Sequence, residues 1–217
     1  RVESNGNTHM LFVDGGNNRV GIGTTPDLGV GLHIRTADSG GSVNGVCDEL
    51  VIENSSRSGM TILSGNSSIG TIAFGDDGSS TIGSINYDHS SNNLNFYANG
   101  SEAVRIDSSQ RVGIGTSSPG SFNSQARNLV VGSGSGDAGM SIYSGSGSGD
   151  SGNIFFVDGT SGDDPTRGGI TYKHDTNELL FRVDDSNRVT IGTDFTIDVA
   201  GDINLDAGGS DISLKGS

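Results

Sequence analysis

Short runs in which apolar residues alternate with small or polar ones recur along this chain, and they predict its secondary structure. Ile85 and Tyr87 flank Asn86, and Leu94 and Phe96 flank Asn95. Such period-two patterning puts the apolar side chains of each run on one face of a strand. The polar stretch Asp88–Asn93 between them predicts a connecting turn, so the two runs form a β-hairpin. Val20 with Ile22, Val112 with Ile114 and Val189 with Ile191 alternate in the same way. No stretch carries a helical period of useful length. The expectation is an all-β protein of short strands and hairpins.

The patterns repeat. Arg19-Val20-Gly21-Ile22-Gly23-Thr24 recurs at Arg111–Thr116, and a third version, Arg188-Val189-Thr190-Ile191-Gly192-Thr193, follows. Proline follows the threonine of the first two, at Pro26 and Pro119. Glycine between Val and Ile implies close backbone approach or a bulge, and the proline ends the strand. Upstream of the second and third versions, Gly83, Ile85, Tyr87, His89, Asn92, Leu94 and Phe96 recur 85 residues later. They do so as Gly168, Ile170, Tyr172, His174, Asn177, Leu179 and Phe181. Gly59-Met60-Thr61-Ile62 parallels Gly139-Met140-Ser141-Ile142, where Met140–Tyr143 reads as a strand between Ser/Gly-rich loops. Gly70–Phe74 parallels Gly152–Phe156. Aligning the third Arg-Val version on the second leaves extra residues after Phe96. The Asn99-Gly100 turn there predicts an added hairpin in the earlier copy.

The organisation that follows is the end of a truncated repeat module over 1–31, a repeat module over 32–127, another over 128–194, and a distinct tail over 195–217. The chain starts in mid-motif at Arg1 and reads as a fragment or processed product. In the tail, Asp202, Ile203 and Leu205 return nine residues on as Asp211, Ile212 and Leu214. That spacing fits a β-solenoid or interwound β-prism, with the apolar positions turned toward a shared axis and the aspartates toward solvent.

Composition sharpens the architecture. Hydrophobic residues make up 31% of the chain, tryptophan is absent, and 37 of 217 residues are glycine, which has no side chain to bury. A compact core is thinly supplied, so apolar strand faces are expected to meet those of other chains in an intertwined homotrimer. The net charge of −14 disfavours nucleic acid as a partner, since phosphate recognition needs clustered Lys and Arg. It equally disfavours anionic membranes. Cys47 is the only cysteine, so no intrachain disulfide or cysteine-rich metal site is expected. No run approaches the ~20 apolar residues of a membrane helix.

Candidate chemistry is sparse. Gly149-Asp150-Ser151-Gly152 resembles the nucleophile segment of chymotrypsin-like proteases, but it ends a Ser/Gly run and no histidine lies in a matching context. Asp88-His89 and His174-Asp175 are acid–histidine pairs in hairpin turns, where those residue types are favoured conformationally. The acidic member changes side between the copies, and Lys173 stands in the place of Asp88. Asp76-Asp77-Gly78 and Asp163-Asp164 are acidic loop tips without calcium-loop spacing, and Gly208–Ile212 carries only part of a calcium-binding nonapeptide pattern. The Gly-x-Gly elements fall in strands rather than at a strand-to-helix turn, which argues against a phosphate cradle. No catalytic, cofactor-binding or metal residue is assigned, no cofactor is expected, and the chain is expected not to be an enzyme.

The Val-Gly-Ile-Gly-Thr motifs at Val20–Pro26 and Val112–Pro119 resemble repeats of phage tail fibres and of some long bacterial surface proteins. So does the hairpin over Ile85–Asp107, while Asp198–Lys215 resembles strand repeats near the ends of marine phage structural proteins. The resemblance implies an elongated homotrimeric fibre or shaft on a virion tail or similar extracellular appendage. Its partners would be itself, other virion or appendage proteins, and a host surface glycan or protein. Such fibres often carry a C-terminal chaperone domain. None is recognisable here, which leaves trimer folding unexplained unless such a domain was cleaved off or lies outside this sequence. Two alternatives remain open from sequence. One is a carbohydrate-binding adhesin stacking Tyr87, Tyr97, Tyr143 or Tyr172 on sugars. The other is a polysaccharide depolymerase with paired carboxylates across a groove.

Overall fold

The computed structural model describes residues 2–4, 7–29, 31–162 and 164–192. The protein is all-β, with 39% strand and 3% helix in three open sheets. The expected tail over 195–217, with Ile203, Leu205, Ile212 and Leu214, lies outside the described residues, as does Asp163.

The first sheet runs in chain order through β1 (Val2–Ser4), β2 (Asn7–Asp14), β3 (Arg19–Ile22), β4 (Leu32–Arg35) and β5 (Leu50–Glu53). The second comprises β6 (Ile69–Phe74), β7 (Gly83–Asp88), β8 (Asn93–Ala98), β9 (Ser101–Ile106), β10 (Val112–Ile114) and β11 (Leu129–Val131). The third comprises β12 (Ser151–Phe156), β13 (Gly168–Lys173), β14 (Glu178–Val183) and β15 (Ser186–Ile191). Each strand pairs with its neighbours in sequence. Contacts divide the chain into two units after Ala138, so the third sheet belongs to the second unit.

The expected hairpin is present in both copies. Ile85 stands opposite Phe96 on one side and Ile72 on the other, and Tyr87 stands opposite Leu94 and Gly70. In the third sheet Ile170 stands between Phe181 and Ile154, and Tyr172 between Leu179 and Gly152. Asn92 and Asn177 take the left-handed turn conformation, at φ 53° and 52°.

The third Arg-Val version is not the strand its sequence suggests. Asn99-Gly100 joins β8 to β9 with both φ values positive, 51° and 71°, a two-residue turn suited to the twist of a hairpin. Asp184-Asp185 joins β14 to β15 in the same way, with φ 53° at both positions. Each of these hairpins also carries a register shift at the same place, after Phe96 and after Phe181. The hairpin is therefore common to both modules rather than an addition to one, and Arg188–Ile191 in β15 corresponds to Ala103–Ile106 in β9.

The side chains explain the difference. In β10 a Cβ at Gly113 would land on the Thr116 carbonyl oxygen and crowd the Pro119 ring. In β3, Gly21 lies equally close to the Thr24 carbonyl and Pro26. The chain hooks back beneath each glycine, buries the proline, and returns as a parallel strand, with Val20 opposite Leu32 and Val112 opposite Leu129. Thr190 occupies the corresponding letter of the third motif, and a β-branched residue does not fit such a hook.

Burial is inverted relative to a globular domain. Besides the hook prolines Pro26 and Pro119, only Val51, Val130 and Leu180 of the described hydrophobic residues are buried, while Ser84, Asn93, Asn95 and Thr171 on the polar sheet faces are. Mutual packing of side chains on the polar face hides those residues; the apolar face is only partly covered, with Ile85, Leu94, Ile170 and Leu179 half-buried and Phe74 and Phe156 exposed.

Candidate interaction face

The apolar face of the second sheet is built from alternate residues of successive strands. Ile72 and Phe74 come from β6, Ile85 and Tyr87 from β7, Leu94 and Phe96 from β8, and Val104 and Ile106 from β9, in register across the ladder. The third sheet repeats it with Ile154 and Phe156, Ile170 and Tyr172, Leu179 and Phe181, and Val189 and Ile191. Phe74 is 58% exposed and its counterpart Phe156 64%. Single exposed apolar residues are ordinary on a protein surface, but a contiguous face of them marks an interaction site.

Each face holds one shallow groove. The first, about 270 Å³, is lined by Met60 and Ile62 above Ile72, Ile85, Tyr87 and Leu94. The second has the same volume and equivalent residues, with Met140 and Ile142 above Ile154, Ile170, Tyr172 and Leu179. The grooves arise because residues 59–64 and 139–144 cross the sheet rather than join it. The expected strand at Met140–Tyr143 therefore lies outside every ladder, with no hydrogen-bonded neighbour.

The tyrosines of the two faces are held by their own modules. Tyr87 donates its hydroxyl proton to Asn92 Oδ1 at 3.3 Å, and Tyr172 to Asn177 Oδ1 at 3.1 Å. The His89 ring meets Tyr87 edge-on with centroids 4.9 Å apart, and His174 meets Tyr172 at 5.0 Å. Both histidines of the acid–histidine pairs thus belong to aromatic packing. Tyr97 lies on the opposite, polar face, in the register position of Ser84 and Glu102.

The protease-like segment is not assembled. Ser151 begins β12 on the polar face, opposite Lys173, and its Oγ accepts from Asn153 Nδ2 at 3.0 Å. His174 lines the groove on the apolar face, so the sheet separates the two side chains. Asp175 accepts from the Gly149 N–H at 3.2 Å instead. Asp76 is spent on its own loop, accepting from the N–H groups of Gly78 and Ser79. Asp164 starts a short 3-10 turn, and Cys47 is exposed and unpaired with any other cysteine. No three His, Cys, Asp or Glu side chains converge as a metal set among the described residues.

One cluster escaped the sequence reading. His33 in β4 is fully buried, with Nε2 2.9 Å from Glu53 Oε2 and Nδ1 3.4 Å from Asp27 Oδ1. Arg35 reaches Asp27 at 3.1 Å and Glu53 at 3.8 Å. The Ser39 N–H holds the Glu53 carboxyl below its ordinary pKa, with the Ser39 hydroxyl and His33 assisting. This network ties two strands to the loops around them and offers a ligand no access to the imidazole. Alternation of His33 and Arg35 with Leu32 and Ile34 was its only sequence signal.

The polar face of the third sheet carries a separate open groove of about 430 Å³, lined by Asn153, Phe155, Thr171, Lys173 and Arg182 among others. On the corresponding face of the second sheet Asn95 is buried and Arg105 pairs with Glu102 at 2.7 Å. Compared with protein-family models, curated proteins and solved structures, the chain matches none.

Proposed function

We propose that this chain is a non-catalytic structural fibre or shaft protein of a viral tail or similar surface appendage, assembling with copies of itself and serving attachment to a host surface. One observation carries the reading: the contiguous apolar face, repeated in both modules, that the chain itself leaves open. Fully burying a large apolar side chain contributes about 1.5–3 kcal/mol, and these side chains, half-exposed in the single chain, gain part of that each when the face is covered, which summed over the face favours assembly. Among the described residues of a single chain few apolar side chains are fully buried and many are half-buried, so association adds hydrophobic stabilisation that the single chain lacks. The acidic surface keeps finished fibres apart.

Sedimentation of the purified protein, with electron microscopy of the same sample, tests this. The expected result is an elongated species of three chains. A protein that stays monomeric at every concentration overturns the reading, and turnover of a capsular polysaccharide overturns its non-catalytic part.

A further inference from the structure

Residues 59–64 and 139–144 are strands in all but pairing. Met60, Ile62 and Ser64 point toward their own sheet, and Gly70 approaches Ile62 and Ser64 from below. Met140, Ile142 and Ser144 do the same above Gly152. The intervening side chains point away, and there Leu63 is 89% and Tyr143 100% exposed. Alternation of this kind is the side-chain geometry of an extended strand. Yet neither segment belongs to a sheet, and neither makes a main-chain hydrogen bond within the described residues. The Ser64 and Ser144 hydroxyls are buried without a partner in both copies.

We propose that these two segments are the main-chain pairing sites through which copies of this chain associate, each segment adding as a strand to the same segment of another copy. The inference rests on the self-assembling fibre reading and names the surface that reading leaves unspecified. Three features select a second copy as the partner. Both segments are equivalent, so whatever satisfies one in a given way must present that complement again for the other, as the repeated chain itself does. Both are free of charge in a chain of 26 acidic and 12 basic residues, so pairing there brings no like charges into direct contact. Finally, an exposed, uncharged, proline-free extended run with unpaired N–H and C=O groups is a template for edge pairing. A like run from another copy satisfies its polar groups.

Hydrogen–deuterium exchange on the assembled chain tests the proposal. Amides of residues 60–64 and 140–144 should exchange at least about 100-fold more slowly in the assembly than in the dissociated chain. A second test uses T61P together with S141P, which removes one N–H from each segment while keeping the inward side chains. Because neither N–H serves the chain's own sheets, circular dichroism should be unchanged while self-association weakens by about tenfold or more. T61V with S141V, which keeps both N–H groups, should associate like the parent. Assembly with both segments exchanging freely, or association indifferent to the proline pair, overturns this inference and leaves the fibre reading standing. A chain that never self-associates overturns both.

Discussion

Gly113 shows how one residue type sets local architecture here. The hook after β10 brings the Thr116 carbonyl directly over its Cα, where any side chain would collide with backbone rather than with a movable neighbour. Substituting Gly113→Ala should therefore destabilise the second sheet by about 1–3 kcal/mol, the usual cost of forcing an extra carbon into a packed site. Urea denaturation checks this, and a change within ~0.5 kcal/mol, as at ordinary surface sites, would contradict the geometry. The same consideration separates Gly21 and Gly113 from Thr190, which resemble one another only as letters in a motif.

At the scale of elements, the β7–β8 hairpin differs from its counterpart in how its turn is held. Asp88 accepts from the Ser90 and Ser91 hydroxyls, both at 2.6 Å, and from the Ser90 N–H. These bonds, the Ser90 hydroxyl foremost, lower its pKa from 3.8 to about 2. A carboxylate with a depressed folded pKa adds stability that is fully present above its unfolded pKa and is lost as pH falls through the folded value. The second sheet should therefore lose this contribution between about pH 4 and pH 2. The third sheet cannot lose it in this way, because Lys173 stands in that place. In D88A, denaturation midpoints should be lower at pH 5 and fall less steeply toward pH 2 than in the parent. Equal slopes would remove Asp88 from the acid response.

For the whole molecule, association is expected to be driven by apolar area and opposed by charge. Phe74 and Phe156 project from equivalent positions and contribute little to the isolated chain, being more than half exposed. The double substitution F74S with F156S should abolish self-association while leaving the strand signal in circular dichroism intact. Raising the salt concentration should strengthen association of the parent, because screening weakens repulsion between chains of net charge −14. Weaker association at high salt would mean that ion pairs, rather than the apolar face, hold the copies together.

Local patterning was enough to determine the all-β class, the β7–β8 and β13–β14 hairpins and which of their side chains share a face. A period of two fixes alternation wherever a strand forms, and Asn-Gly between strands leaves the chain few other conformations. The internal repeat was legible for the same reason, since Ile85–Phe96 and Ile170–Phe181 face the same constraints. Three matters needed the tertiary structure. The Arg-Val string at Arg188 matched the wrong earlier strand because short glycine-rich motifs carry less information than register, which ties each strand to neighbours far along the chain. The His33–Glu53 contact joins residues 20 apart in sequence and follows only from parallel pairing of β4 with β5. Met140–Tyr143 has the alternation of a strand, and the sequence therefore placed it in a sheet. Alternation reports where side chains point, whereas sheet membership depends on a backbone partner, and the chain supplies none to this segment.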